Sequence, residues 1–518
     1  MNQSTQITAG NRATEALKIW CVLLVLSGCV LLFALKTSDC FVDDAYTGFQ
    51  YIENLRAGHG FVFHPSDRPV EGVTNIGWLL IVAALTGPAP PPVVAKLLGL
   101  GLVIFVFILL VAAGRVFAVK DAEHNDSFTL AVVPAVLLAG SFDFIYFSTA
   151  GMETALLAAL LSTCCCIALF RAASFWLPAL SAAASLAHPE AAIVFPIYAM
   201  LHLYRACDRK RLIGCCLVWA GMLAAITAAR WSYFGDLVPN TFHSKPSNLE
   251  LAIQNAYAFL SGNNSNIPFP IVGWISLPLL ALGYYRLRRA SAAGADMLAA
   301  VAIAGLAFAV YSPPDWTATA RFFAPYLPAA LLLLWSGVIE FRDLPFPWRH
   351  RTKHAAMAAV VVLLALTATY DCRDKLAALD GYPGYVMASK DLVGPAVWMR
   401  DNLPADSVIA TRRIGALAYF SRHPVYDYVY GLPDAETALL VARNGGRFHT
   451  PTAPVLARRW KSRRPDYLLE DEAVLNRIIS QTGGTRENFH IHGDAFGVIR
   501  RFQIGRGVQW VLAARLEE

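Results

Sequence analysis

Charge is what this chain has least of. Asp, Glu, Lys and Arg make up 15% of its 518 residues, against roughly a quarter in soluble globular domains. Hydrophobic residues make up 56%, and the mean hydropathy is +0.46. An ordinary soluble domain is excluded. Several signatures are absent too: there is no CxxC metal spacing, no Gly-rich phosphate loop, no GxSxG elbow and no internal repeat. The ten cysteines supply no disulfide framework. Most of them (Cys21, Cys29, Cys164, Cys165, Cys166, Cys215 and Cys216) lie in apolar stretches, where a thiol behaves as a small hydrophobe. Cys40 and Cys372 both fall where a span should emerge on the outer side, which leaves a pairing between them open.

What the chain has in place of charge is apolar runs near the ~20 residues needed to cross a bilayer, recurring from Leu17 to Tyr370. Leu26-Ser27-Gly28-Cys29 matches a lipoprotein cleavage box, but the apolar run continues to Leu35, too long for a signal core, so an uncleaved first span is expected. The net charge is +6, yet the basic residues cluster in short loops: Arg12 and Lys18, Arg115 and Lys120, Arg171, Arg205 to Arg211, Arg286 to Arg289, Arg342 to Lys353. That distribution reports membrane topology rather than nucleic-acid binding. Threading between the clusters gives about eleven spans: 17–36, 93–118, 128–147, 150–171, 173–187, 189–205, 210–232, 268–286, 296–312, 320–341 and 354–371. The N-terminus is then inside and the tail outside. The apolar stretch 74–85 is too short to span and reads as a helix lying along, or dipping into, the outer face. Residues 372–518 alternate helical patterns (393–403, 433–444, 473–481) with strand patterns (407–411, 424–428, 466–469, 496–503, 508–513), which predicts an α/β layer domain. The expected architecture is a polytopic α-helical module over 1–371 and a C-terminal α/β domain over 372–518.

This threading leaves four polar groups on the outer side. The loop 37–92 carries Asp43, Asp44, His59, His64, Arg68 and Glu71. His188-Pro189-Glu190 occupies a turn between spans. The loop 233–267 opens with Tyr233 to Lys245 and includes Asn240 and His243, with Arg230 just before it. The turn 312–321 carries Asp315 and Arg321. Distant in sequence, they are expected to converge on one site. The adjacent acids Asp43-Asp44 open a helical stretch ending at Gly58-His59-Gly60. One acid at a helix start is explained by capping; two beside a membrane favour chemistry. Arg230 and Arg321 fit either phosphate binding or headgroup anchoring. Glu71, Glu190, Asn240 and Lys245 fit substrate contacts or ordinary turn and loop roles. Asp427, in the tail, fits an acceptor contact or a strand-end turn. A divalent cation on the first-loop acids and histidines is left open, with no ligand spacing that demands one.

The runs Asp43-Asp44-Ala45-Tyr46, Tyr51 to Phe63, Val70-Glu71-Gly72-Val73-Thr74-Asn75, Gly151-Met152-Glu153-Thr154, His188-Pro189-Glu190, Tyr233 to Lys245, Arg321-Phe322-Phe323, and Tyr426-Asp427 with Gly431-Leu432-Pro433-Asp434 together resemble the GT-C superfamily. Nearest in likeness is the branch of the mycobacterial terminal β-arabinofuranosyltransferase and its proteobacterial relatives. Relatives tend to carry Arg where this chain has His188. The resemblance implies a multi-pass enzyme of the bacterial cytoplasmic membrane with its C-terminal domain in the periplasm. It would move a sugar, arabinofuranose as the best match, from a polyprenyl-phosphate donor to an acceptor hydroxyl on a glycan, a lipid-linked saccharide or a protein. One Asp of the first-loop pair would be the general base. Arg321, Lys245, Arg230 and His243 are the candidates for the donor phosphate, and His188, Glu190, Asn240 and Asp315 for further substrate contacts. The rival class is a secondary transporter with an accessory outer domain; charges at the span ends and the lack of half-to-half similarity count against it.

Overall fold

The structure, a computed structural model, describes residues 3–120, 127–245, 247–260, 273–313, 319–344, 373, 375, 390–504 and 508–516. Helices dominate the first two thirds. Among the described residues five helices are long and apolar enough to cross a membrane: Thr14–Lys36, Pro91–Val119, Arg209–Phe234, Ala292–Tyr311 and Ala324–Asp343. Phe128–Ala139 and Phe142–Thr149 make a sixth if they are one span, bent by 65° at Gly140-Ser141.

The remaining expected spans take other forms. Thr154–Phe170 is apolar but shorter. The expected spans 173–187 and 189–205 appear as the short helix Trp176–Ala184, a 3₁₀ turn Pro189–Ile193, and brief α and π segments to Ala206. Pro189 explains the break, since it cannot donate within a helix and restricts the residue before it. The helix Gly273–Ala290 overlaps the expected span 268–286, while 354–371 and Cys372 lie outside the described residues. The stretch 74–85 forms the ten-residue helix Ile76–Leu85, too short to span.

Apolar side chains drive helix insertion, but close helix contact inside a bilayer needs small residues. Helices Gly273–Ala290 and Leu327–Asp343 show this. A Cβ on Gly283 would fall 1.8 Å from the Leu333 carbonyl oxygen, and one on Gly337 would fall 1.8 Å from that of Leu279. Only glycine permits that approach.

The tail forms a six-stranded sheet of β1 Ile409–Thr411, β2 Val425–Asp427, β3 Tyr467–Asp471, β4 Asn488–Ile491, β5 Asp494–Ile504 and β6 Val508–Arg515. The order is β2-β1-β3-β6-β5-β4. β1 runs parallel to β2 and β3, and the other pairings are antiparallel. Helices connect the parallel strands, as such crossovers require. Asp434 and Asp471 cap two of the domain's helices through their side chains. One apolar cluster runs without interruption from the helix Asp43–Arg56, through Trp78 and Phe147, to Leu392, Leu417 and Trp510 in the tail. The domain is thus packed on the first loop rather than hung from it.

Candidate active site

Two local rules place the acid pair. Val42 is extended and starts the helix Asp43–Arg56, and acids in a first turn complement the helix dipole. Gly58 and Gly60, at φ +84° and +86°, end that helix in the left-handed region where β-carbons are disfavoured. Neighbouring residues on a helix point about 100° apart, so the two aspartates face different surroundings.

Asp43 turns into the C-terminal domain. Its residue is 5% exposed, and its carboxylate accepts from the amides of Gly415 (3.1 Å) and Ala416 (2.9 Å) at the start of helix Gly415–Ser421. Burial pushes this carboxyl above the ordinary range, while the Arg413 cation and the two amides pull it down. Asp44 turns the other way. Its side chain is 31% exposed and pairs with Arg321 Nη1 at 2.7 Å, across 277 residues of sequence. The guanidinium also lies over the Phe322 ring, 5.0 Å from its centroid.

Arg321 leads to the His188 turn. The charge of Arg321 acts on His188, as does that of Glu153. His188 pairs closely with Glu190, whose other oxygen accepts from the Tyr326 hydroxyl at 3.2 Å. The imidazole packs edge-on to Phe308, with centroids 5.3 Å apart. Glu153 accepts from the Asn75 amide at 2.7 Å. Before it, Gly151 at φ +90° lets helix Thr154–Phe170 begin against Ala45 and Phe49, where a Cβ would clash at 2.8 Å. The sequence motifs Asp43-Asp44, Gly151 to Thr154, His188-Pro189-Glu190 and Arg321-Phe322 therefore adjoin one another in space.

A second polar group adjoins the same helix. Arg230 grips Glu71 with both guanidinium branches, Nη2 standing 3.1 Å from Oε1. Burial raises the Glu71 carboxyl above its usual range against the pull of Arg230. The Asn240 backbone amide donates to the Glu71 carbonyl at 2.9 Å. Its side-chain amide donates to the Gly431 and Leu432 carbonyls, both at 2.8 Å. His243 pairs with Asp236 at 2.9 Å. Lys245 lies over the Tyr430 ring, 5.5 Å from its centroid, facing the tail domain. Asp427 is buried, and its oxygens accept from the amides of Val429, Tyr430 and Leu432 at 2.9 to 3.1 Å. Burial moves this carboxyl up to about 6 in spite of those amides. Asp427 thus shapes the 428–432 turn that Asn240 and Lys245 meet. Asp315 lies outside the described residues.

Sequence reasoning missed Arg413 and the Gly415 clasp. An Arg-Arg pair after a short strand reads as a solvated turn. The need for glycine at 415 is itself tertiary: a Cβ there would sit 1.9 Å from the Asp43 carbonyl oxygen. Among the described residues no group of three or more His, Cys, Asp or Glu is arranged to hold a metal ion.

Residues 387–514 match a family described as a domain of unknown function (DUF8728). No curated protein matches the chain. Among solved structures it resembles ArnT from Cupriavidus metallidurans bound to undecaprenyl phosphate, 14% identical over 96% of this chain and 97% of that one, with a TM-score of 0.51. It also resembles the archaeal oligosaccharyltransferase AglB from Archaeoglobus fulgidus in complex with an inhibitory peptide and a dolichol-phosphate, 13% identical over 90% of this chain and 70% of that one, with a TM-score of 0.53. An Archaeoglobus fulgidus oligosaccharyltransferase tethered with an acceptor peptide gives 13% identity, coverage of 90% and 69%, and a TM-score of 0.54. At such identities the likeness is one of fold, and this chain has the fold of the GT-C glycosyltransferases.

Proposed function

We propose that the protein is a membrane glycosyltransferase that moves a sugar from a polyprenyl-phosphate donor to an acceptor hydroxyl. The observation that supports this most is the Asp44–Arg321 pair at 2.7 Å. It joins a partly exposed carboxylate to a cation in a fold shared with proteins solved with undecaprenyl phosphate and dolichol-phosphate. Asp44 is the general base of choice. Its side chain is 31% exposed and faces the Arg321 cation, whereas Asp43 is buried with both oxygens accepting amide hydrogens.

In the step proposed, the Asp44 carboxylate takes the proton of the acceptor O–H. The freed oxygen bonds to the anomeric carbon, and the bond from that carbon to the phosphate oxygen breaks. The polyprenyl phosphate leaves with the electron pair. Arg321, already fixed over Phe322, is placed to meet that growing negative charge. Base assistance contributes typically 10²–10⁴-fold. His188, Glu190 and Glu153 form the neighbouring polar group beside Phe322, and the Glu71–Arg230–Asn240 group holds the loop against the tail domain.

The finer reading is a bacterial cytoplasmic-membrane enzyme with module 1–371 in the bilayer, and with the site and domain 372–518 on the periplasmic side. The basic loops at the opposite helix ends support that orientation. Arabinofuranose as the sugar rests on the sequence likeness, and the acceptor is a glycan, a lipid-linked saccharide or a protein. The test is to incubate purified protein with decaprenyl-phospho-arabinose and candidate acceptors and follow the products by mass spectrometry. Transfer by the native protein and none by Asp44→Asn is expected. Equal transfer by Asp44→Asn and the native protein overturns the base assignment, and no turnover of any polyprenyl-phospho-sugar overturns the activity.

A further inference from the structure

The loop after helix Arg209–Phe234 carries a helix that the site does not use. Asn248 opens Leu249–Leu260, its side-chain oxygen accepting from the Leu251 amide at 2.8 Å. The inner face of this helix is fastened to the end of a span. Asn255, 8% exposed, donates through its side-chain amide to the Val310 and Ser312 carbonyls, both at 2.9 Å. The Ser247 hydroxyl donates to the Tyr311 carbonyl. The last turn of a helix leaves carbonyls without intrahelical partners, and these two side chains serve those of Ala292–Tyr311. The helix Leu249–Leu260 is thereby fixed at the level where that span ends.

Its other face is uncovered among the described residues. Leu249, Ile253 and Tyr257 recur at i, i+4 and i+8 and are 76%, 61% and 74% exposed. Glu250 and Gln254, also exposed, meet each other at 3.5 Å on the adjoining edge. One sector thus faces protein, one is apolar and one is polar, the division found in helices that lie in a membrane interface. Exposed aromatic side chains stand at the same end of the module: Tyr311 closes one span, and Trp231 and Tyr233 lie at the end of Arg209–Phe234. Trp and Tyr collect where a bilayer meets water. The apolar edge therefore continues a belt that two membrane-spanning helices already define.

We infer that helix Leu249–Leu260 lies on the bilayer at the site's end of the module, with Leu249, Ile253 and Tyr257 bedded among phospholipid acyl chains and Glu250 and Gln254 in the aqueous layer. The segment from Asn240 to Tyr257 then ties the C-terminal domain to the membrane surface, since Asn240 holds the Gly431 and Leu432 carbonyls at its other end. This role is independent of the transfer reaction.

The test puts the photoreactive residue p-benzoylphenylalanine in place of Leu249, Ile253, Tyr257 or Gln254, one at a time, in the full-length protein. Each protein is reconstituted in vesicles of phosphatidylethanolamine and phosphatidylglycerol with a minor share of decaprenyl phosphate. After irradiation the adducts are identified by mass spectrometry. Phospholipid adducts are expected at the positions of Leu249, Ile253 and Tyr257. They should be lost at that of Gln254, which points about 100° away from Ile253 around the helix. Other occupants give other products. A crosslinked dimer means that a second copy covers this edge, and preferential attachment to decaprenyl phosphate means a groove for a prenyl chain; either overturns the inference. So do equal phospholipid yields at all four positions, or none at the three apolar ones. If one substituted protein does not fold, the remaining apolar positions decide.

Discussion

The two ends of the helical module are both charged, yet they are wired differently. At the basic end, Asp296 is fully buried and takes His202 (2.8 Å), the Tyr284 hydroxyl (2.7 Å) and Arg288 (3.2 Å). Nearby, Glu340 holds Arg286 and Arg289, and Asp343 holds Arg286. Most of these partners come from helices that follow one another closely, 8 to 57 residues apart. They tie helix Gly273–Ala290 to Ala292–Tyr311 and to Leu327–Asp343. At the other end the partners are remote: Glu71 and Arg230 lie 159 residues apart, Asp44 and Arg321 277, Asp43 and Gly415 372. Such a tie forms once helices near one another in sequence pack. A gathering of remote loops forms only when the whole chain is assembled, and here it leaves one carboxylate open to solvent.

The largest expected effect sharpens this contrast. Asp44→Asn should lower kcat by about 10²–10⁴-fold with native insertion and thermal stability, read by product mass spectrometry and by unfolding in detergent. Next, Arg321→Gln should cost on the order of 10²-fold in kcat/KM, the size of a lost donor at a developing anion. Equal activity of Arg321→Gln and the native protein would break the link between that cation and the leaving phosphate. Asp43→Ala should act first on stability. It strands two buried amides, a cost of about 1–3 kcal/mol, and should show as faster amide exchange in the 411–416 turn and a smaller activity loss than in Asp44→Asn. At the basic end, Glu340→Gln should lower the unfolding temperature by several degrees and leave transfer within about threefold of native. A catalytic loss there as large as that of Asp44→Asn would erase the distinction between the ends. Smallest of all is Lys245→Ala, which removes a cation from the Tyr430 face and should change transfer less than threefold.

Much of this was legible from local pattern. The helix expected from Asp43 to Ala57 is observed from Asp43 to Arg56, because the acidic first turn and the terminal glycines are local signals. The tail helices expected at 433–444 and 473–481 appear as Ala435–Arg443 and Glu472–Thr482. The helices Gly415–Ser421 and Ala457–Arg463 and the strand β4 went unseen, being short and lacking clear periodicity. The span threading is a case where hydropathy speaks only in averages. It did not register the 65° bend near Gly140, although Pro189 did point to the break between Ala184 and the turn Pro189–Ile193. For the site, the meeting of Asp44 with Arg321 and of Glu71 with Arg230 joins residues that the outer-loop reading had grouped. The different fates of Asp43 and Asp44 could not be read, because adjacent side chains share every sequence neighbour and differ only in direction.

Composition and periodicity alone determined that this is a membrane chain with an α/β tail and acids at a helix start beside the bilayer, because hydropathy and helix caps act over a few residues. Tertiary structure decided which acid is partly exposed and which is buried under Gly415. Those outcomes depend on contacts between segments hundreds of residues apart, where direction in space replaces order along the chain.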